Sequence, residues 1–396
     1  MLKLNKIFYS SVEEGVFYDR IQPTAEQRTY LVSCKNDIRD HLRPRIRRAT
    51  VEVLGMDRVV EPRFRTQGSW SYNTCVQPVF RPPQEMDWDF GVYLPVSVWE
   101  ENGPPHEMAP AYFELVEGLL QDLCRDKGWT LISGKDMCIR VQVASWAHID
   151  IPLYAAPEAE FEQILEKAAL ESASFAARAA DSALDFMAIL ESAEFGEMPE
   201  QAWDDLDHIV MATRKGEWKA SDPEAVSKWF SDKVQEHGEQ LRRVSRYLKA
   251  WRDYHWEEGG PTSVSIMVAI AQAFEVHRAR DDIALEKSAL RLGNALLGEI
   301  RERGIDDGAE DFNKRLSAAE KTLAAQKARA LAQALLNSRT LAVHQKGQAI
   351  EQVRTHLGDR IPVDVALIDI DNSMDDVRSI PPQRVAAPVV LASSAG

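Results

Sequence analysis

An α+β fold is what this sequence predicts, with a mixed sheet and its helices in the front half and an all-helical back half. Three observations carry that reading. Residues 60–155 mix turn signals with short runs in which apolar and polar residues alternate, the period of half-buried strands. Two of those runs, Met86-Asp87-Trp88-Asp89-Phe90 and His148-Ile149-Asp150-Ile151-Pro152-Leu153, hold three aspartates on their polar sides. From about residue 158 the composition turns to Ala, Glu and Leu at helical spacing, as in AEFEQILEKAALESASFAARAADSALDFM.

Taken in order, Thr24-Ala25-Glu26-Gln27 is a capping box that opens a helix running towards Arg43-Pro44. Lys35, Arg39 and Arg43 recur every four residues on it and form one basic stripe. A helix is expected near Ala111–Lys127 within the small mixed sheet. Ser221-Asp222-Pro223-Glu224 starts a long helix that carries Leu241, Val244, Leu248 and Trp251 at core spacing. Gly259-Gly260-Pro261 breaks it, and Thr262 or Ser263 caps the apolar helix SVSIMVAIAQAF. Residues 312–357 read as two Ala-rich helices with Gly358 as the stop. The last stretch, SIPPQRVAAPVVLASSAG, has prolines, small residues and no helical period, which predicts a flexible tail.

At 396 residues the chain is long enough for two or three cores. It carries 47 Lys plus Arg against 62 Asp plus Glu, a formal charge of −15. That balance argues against constitutive nucleic-acid binding, which needs basic patches, but allows a nucleotide whose phosphates meet a cation and a few local charges. The cysteines Cys34, Cys75, Cys124 and Cys138 show no C-x-x-C pair, so they read as reduced thiols rather than a zinc site. No apolar run reaches membrane-spanning length, and the first residues lack a leader pattern. A cytoplasmic protein is expected.

Carboxylates at i and i+2 of a strand share a face, so Asp87 and Asp89 point out together while Met86, Trp88 and Phe90 point in. If the strand of Asp150 lies alongside, three hard oxygen donors converge and suit Mg²⁺. Two such ions can activate a hydroxyl and neutralise a triphosphate during in-line transfer. Gly68-Ser69, preceded by Thr66-Gln67, is either an ordinary turn or a phosphate cradle. Arg140 is either a cross-strand partner or a phosphate clamp. Lys249 and Asp253, at i and i+4, suit a helix ion pair as well as a triphosphate contact from Lys249. Ser263 serves as a helix cap or a phosphate or base contact, and Tyr72 as a core residue or a stacking platform.

These motifs carry a resemblance. Pro62-Arg63-Phe64-Arg65-Thr66-Gln67-Gly68-Ser69, Gln84-Glu85-Met86-Asp87-Trp88-Asp89, His148-Ile149-Asp150-Ile151-Pro152-Leu153-Tyr154-Ala155, Leu241-Arg242-Arg243-Val244, Lys249-Ala250-Trp251-Arg252-Asp253 and Gly259-Gly260-Pro261-Thr262-Ser263 occur in the order found in the bacterial DncV-like nucleotidyltransferases. The chain resembles that family over most of residues 20–275. The resemblance implies a polymerase-β-like nucleotidyltransferase core packed on an all-helical, oligoadenylate-synthase-like domain. With the composition it divides the chain into a core at 1–205 that includes the N-terminal helix, a helical domain at 206–374 and a tail at 375–396.

It implies that Asp87, Asp89 and Asp150 are catalytic and hold two Mg²⁺. Gln67, Gly68, Ser69 and Tyr72 would contact the donor nucleotide, and Arg140, Lys249 and Ser263 phosphate or base. An acidic base-contact residue is expected within Ile305–Asp311. Lys35, Arg39, Arg43 and Arg63 correspond to the basic lining of a folate-type inhibitory pocket in the family, with Arg65 where an aromatic is expected. The implied activity joins ATP and GTP into a cyclic dinucleotide for antiphage signalling through a downstream effector, and Gly396 is the point at which a ubiquitin-transferase-like partner would act. A linear oligonucleotide synthase, another nucleotidylating enzyme and an inactive nucleotide-sensing scaffold are the competing readings.

Overall fold

The computed structural model describes residues 1–97, 104, 106–162, 208–220, 223–306 and 308–370. Its centre is an eight-stranded mixed sheet. The strands are β2 (Arg63–Gln67), β3 (Met86–Val96), β4 (Thr130–Ile132), β5 (Ile139–Ala144), β6 (Ala147–Ile151), β7 (Leu153–Pro157), β8 (Val210–Ala212) and β9 (Trp218–Ala220). The two-residue strand β1 (Leu2–Lys3) pairs elsewhere. Strand β3 runs parallel to β6 and then to β7, with Pro152 between those two, and antiparallel to β2. The remaining pairs, β4 with β5, β5 with β6, β7 with β8 and β8 with β9, are antiparallel.

The alternation read in the sequence is realised. Met86, Trp88 and Phe90 are buried in one core together with Ile149, Ile151 and Leu153. Two helices cover that face, α3 (Ala25–Glu52) and α5 (Met108–Lys127), counted after the short α1 (Asn5–Phe8), α2 (Phe17–Ile21) and α4 (Gly68–Ser71). The Thr24 hydroxyl accepts from the Gln27 N–H at 3.2 Å while Gln27 Oε1 accepts from the Thr24 N–H at 2.8 Å, the reciprocal cap expected for α3. This helix does not stop at Pro44 but runs on to Glu52. Proline costs one backbone hydrogen bond there, yet Ile38, Leu42, Ile46 and Thr50 continue the buried stripe across it, and packing outweighs local propensity.

A second core is helical. It contains α6 (Pro223–His237), α7 (Glu239–His255), α8 (Ser263–Ala271), α9 (Asp281–Ala295), α11 (Ala318–Thr340) and α12 (Lys346–Leu357), with the one-turn α10 (Arg303–Asp306) between α9 and α11. Leu241, Val244, Leu248 and Trp251 are fully buried, as their spacing required. The long helix expected here is two, because Gly238 adopts φ +79, a left-handed conformation that ends α6 before α7 begins. Thr262, not Ser263, caps α8, its hydroxyl accepting from the Ser265 N–H at 3.0 Å.

Two domain limits differ from expectation. The N-terminal segment belongs to the helical core rather than to the sheet. Leu2, Leu4, Ile7, Phe8, Phe17 and Ile21 pack there, with Phe8 and Phe17 against Tyr247, and β1 pairs with β10 (Asp369–Ile370). The sheet also continues past 205, since β8 and β9 bring residues 210–220 into it. Apolar runs show that a segment is buried but not which of two cores buries it. The expected tail, with Gly396, the expected boundary at 205 and the helical run from 163 lie outside the described residues. Cys34, Cys75 and Cys124 are buried, Cys138 is half-buried, and all four are free thiols. No described helix is long and apolar enough to cross a membrane.

Candidate active site

Strand register places the acidic residues. Asp89 of β3 stands opposite Asp150 of β6, Asp150 stands opposite Arg140 of β5, and Asp87 stands opposite His148. Because these are adjacent rows on one face, carboxylates 61 residues apart in sequence meet. Oxygens of Asp87 and Asp150 and a ring nitrogen of His148 lie within 4.8 Å of one another. Asp89 is not one of these three; its carboxylate lies against the backbone of Gly68. A Cβ on Gly68 would sit 2.0 Å from Asp89 Oδ2, and Gly68 has φ +63, so both space and backbone require glycine.

The carboxylates are stabilised unequally. Arg140 grips Asp150 through two parallel bonds, Nε to Oδ1 and Nη2 to Oδ2, both 2.6 Å. Enclosure pushes Asp87 up, but contact with His148 and the charges of His148, Arg140 and Lys135 outweigh it and hold Asp87 below its ordinary value. Burial lowers His148, and the Asp87 carboxylate more than reverses that. For Asp89, burial and the charges of Asp87 and Asp150 add together, pushing it up to about 8. Carboxylates packed this closely repel one another, and a divalent cation would offset that repulsion.

Asp87 and Asp89 line a cavity of about 460 Å³ between the sheet and the helical core, whereas Asp150, bound by Arg140, is not among its lining residues. Of the residues expected at the site, Ser69, Tyr72, Asp87, Asp89, Arg140, Lys249 and Ser263 line it. Its far wall carries Lys249 and Arg252 from α7 and Arg315 from the loop before α11, together with the carboxylates of Asp253 and Glu257. Lys249 is buried and donates to the Thr74 carbonyl at 2.8 Å and to its hydroxyl at 3.3 Å. Burial pulls its ammonium down to about 8. The i,i+4 pair with Asp253 does not form as a hydrogen bond. Arg252 takes Asp253 instead at 2.6 Å and also donates to the Ser263 hydroxyl at 2.9 Å.

Other expected contacts are placed differently. Gln67 turns away from the cavity and bonds the hydroxyls of Tyr93 and Tyr154. Tyr72 is a core residue packed on Phe230 that reaches the cavity only at its edge, and burial raises its phenol. The expected folate-pocket cations lie on α3 and β2 behind the sheet. Lys35 stands over Trp88 and Phe90, Arg43 over Phe64, and Arg65 pairs with Glu224 of α6 at 2.6 Å. In the stretch where an acidic base contact was expected, Asp306 accepts from the backbone of Gly308 and Glu310, and Asp311 from Ile300 and Asn313, which are loop-forming bonds. Asp307 lies outside the described residues.

Three residues at the site were given no role by the sequence. His148 and Glu85 join through His148 Nδ1 and Glu85 Oε2 at 2.7 Å, and Gln142 donates to the other Glu85 oxygen. Trp70 donates to the Asp87 carbonyl at 3.0 Å and stacks on Trp88 at 4.2 Å. Period-2 alternation could have found Glu85, two before Asp87, and His148, two before Asp150.

The comparisons agree with this architecture. Residues 62–154 match the family "Cyclic GMP-AMP synthase DncV-like, nucleotidyltransferase domain", and residues 238–369 match "Cyclic GMP-AMP synthase, C-terminal domain". A cyclic GMP-AMP synthase of Escherichia coli is 34% identical over 266 residues, covering 66% of this chain and 58% of that protein. One of Vibrio cholerae is 37% identical over 243 residues, covering 58% of this chain and 51% of that protein. The chain thus spans between half and three-fifths of the length of these relatives. The crystal structure of Vibrio cholerae DncV with the linear intermediate 5′-pppA(3′,5′)pG superposes with a TM-score of 0.73 at 23% identity, covering 94% of this chain and 99% of that one. Escherichia coli DncV bound to 3′-deoxy GTP gives 0.70 at 22% identity, covering 93% and 100%. With a polymerase-β-like sheet on a helical domain and both family regions in order, the chain belongs to the DncV-like nucleotidyltransferases.

Proposed function

We propose that this protein joins two nucleoside triphosphates, ATP and GTP, into a cyclic dinucleotide with release of pyrophosphate. The observation that carries the proposal is the meeting of Asp87 and Asp150 across β3 and β6, with Asp89 paired to Asp150 in register, beside a cleft that Asp87 and Asp89 line from the sheet and Lys249, Arg252 and Arg315 from the helical side. The three carboxylates fit Mg²⁺, which takes hard oxygen donors. Asp87, Asp89 and Asp150 would hold two ions, which when bound neutralise the triphosphate and lower the pKa of the attacking hydroxyl.

The chain's own residues do the rest. Lys249, Arg252 and Arg315 hold phosphate oxygens from the helical side, and Gly68 and Ser69 let the backbone approach from the sheet side. Ser263, held by Arg252, lies within reach of phosphate or base. A ribose hydroxyl of one nucleotide attacks the α-phosphorus of the other. A new P–O bond forms, the bond to pyrophosphate breaks, and the hydroxyl proton passes to the carboxylate wall, with Asp150 kept in position by Arg140. The linear product then turns over and a second attack closes the ring.

In the cell, a cytoplasmic site, an antiphage role, an effector that reads the product and conjugation through Gly396 complete the proposal. The test is to incubate the protein with labelled ATP and GTP in Mg²⁺ and resolve the products by mass spectrometry after phosphatase treatment. A phosphatase-resistant dinucleotide with no terminal phosphate is expected. A phosphatase-sensitive oligomer would replace the cyclic product with a linear one, and nucleotide binding without pyrophosphate release would leave only a sensor.

A further inference from the structure

We infer that His148 supplies a nitrogen ligand to the cation site, so that the site is a mixed nitrogen–oxygen one that favours Mn²⁺ over Mg²⁺. The inference rests on the cation-site reading above and adds a donor to it. His148 is 6% exposed. Its Nδ1 lies 2.7 Å from Glu85 Oε2, and Glu85 is itself held by Gln142. An ionised carboxylate only accepts, so Nδ1 is the ring nitrogen that donates to Glu85, and Nε2 is the one left facing the cluster. A carboxylate behind one ring nitrogen, fixing the tautomer and leaving the other for a metal, is the arrangement that metal-bound histidines use.

The front nitrogen is placed accordingly. His148 Nε2 is buried and has no hydrogen-bond partner among the described residues, although Asp87 Oδ1 is only 3.0 Å away. Two ligand atoms cis to each other on an octahedral ion at roughly 2.1 Å stand about 3 Å apart, which matches this pair. Among the described residues the one group of donors close enough to share an ion is Asp87, His148 and Asp150. An imidazole nitrogen adds more to the binding of Mn²⁺ than to that of Mg²⁺, which prefers oxygen and water.

The test uses full-length protein loaded with Mn²⁺ alone, without nucleotide, and pulsed electron paramagnetic resonance. The expected result is ¹⁴N modulation from a bound imidazole, replaced by ¹⁵N modulation in protein grown with ¹⁵N-histidine. In a folded His148→Gln variant, checked by its melting temperature, the modulation is lost. The Kd for Mn²⁺ then rises about tenfold while that for Mg²⁺ changes far less. Mn²⁺ bound with no histidine coupling, or coupling that survives in His148→Gln, overturns the inference and leaves the carboxylate site standing. Should the variant fail to fold, the labelled wild type decides alone. If wild-type protein and Asp87→Ala/Asp89→Ala bind Mn²⁺ equally or not at all, the cation-site reading falls together with the inference.

Discussion

Carboxylates outnumber cations on the sheet wall of the cleft, cations outnumber carboxylates on the helical wall, and the two walls are fixed by different means. On the sheet wall, Asp87, Asp89, Asp150 and Arg140 are set by hydrogen-bonded register, so their neighbours follow from strand pairing. On the helical wall, Lys249, Arg252 and Arg315 come from two separate segments; Lys249 and Arg315 are held by tertiary bonds to Thr74 and Gly260, and Arg252 by its neighbour Asp253. Register tolerates no slip, because one residue's shift would turn the aspartates into the core. The helical cations depend instead on how the two cores meet. Gln84 is one such tie, its side chain donating to the Asp253 and Trp256 carbonyls at 2.8 and 2.7 Å.

Breaking the sheet wall should therefore have the largest effect. Asp87→Ala with Asp89→Ala is expected to lower kcat by about 10³-fold or more. Far-UV circular dichroism of that variant should remain that of the wild type, since Asp87 is exposed to the cleft and Asp89 only half-buried. Next comes Gly68→Ala, which removes none of the site's charged groups. Its Cβ must displace the Asp89 carboxylate, and a shift of about 1 Å at a reacting site costs on the order of 10²-fold in rate. Steady-state kinetics with a melting curve would show activity falling well beyond any loss of folded protein.

This contrast also marks how much was legible beforehand. The aspartate rows, the glycine at the turn, the mixed sheet and the helical back half could be read because alternation and punctuation are local. Lys249 could be placed on a helix, but its partner could not, because Thr74 is 175 residues away in sequence. Gln67 looked like a nucleotide contact, yet two tyrosines from β3 and β7 claim its amide. The N-terminal segment showed apolar residues without showing that they pack on α7 and α9. His148 lay in plain view within a quoted run, and only its meeting with Glu85 gave it a task.

On the helical wall, Lys249→Met should raise the KM for triphosphate about tenfold while changing kcat less, the mark of binding shared by ground and transition states. Stability should change in a pH-dependent way. The folded protein holds Lys249 at about 8, below its unfolded value of 10.5, so between those pH values the unfolded chain binds more protons. Stability conferred at this position therefore rises as pH increases from about 8 to 10.5, by up to roughly 3 kcal/mol. Denaturant midpoints of wild type minus Lys249→Met across that range should show the rise, and a flat difference would mean that the lysine is not desolvated. The smallest effect is expected from Thr74→Val, which removes the weaker 3.3 Å bond to Lys249 and should cost about 1 kcal/mol.

The two walls acting on one triphosphate is the central claim, and anomalous diffraction from crystals grown with Mn²⁺ and a non-hydrolysable triphosphate tests it most directly. The account predicts a manganese peak in contact with Asp87 and Asp150, with phosphate oxygens between that ion and Lys249. A nucleotide bound elsewhere, or an ion that touches none of the three aspartates, would contradict it.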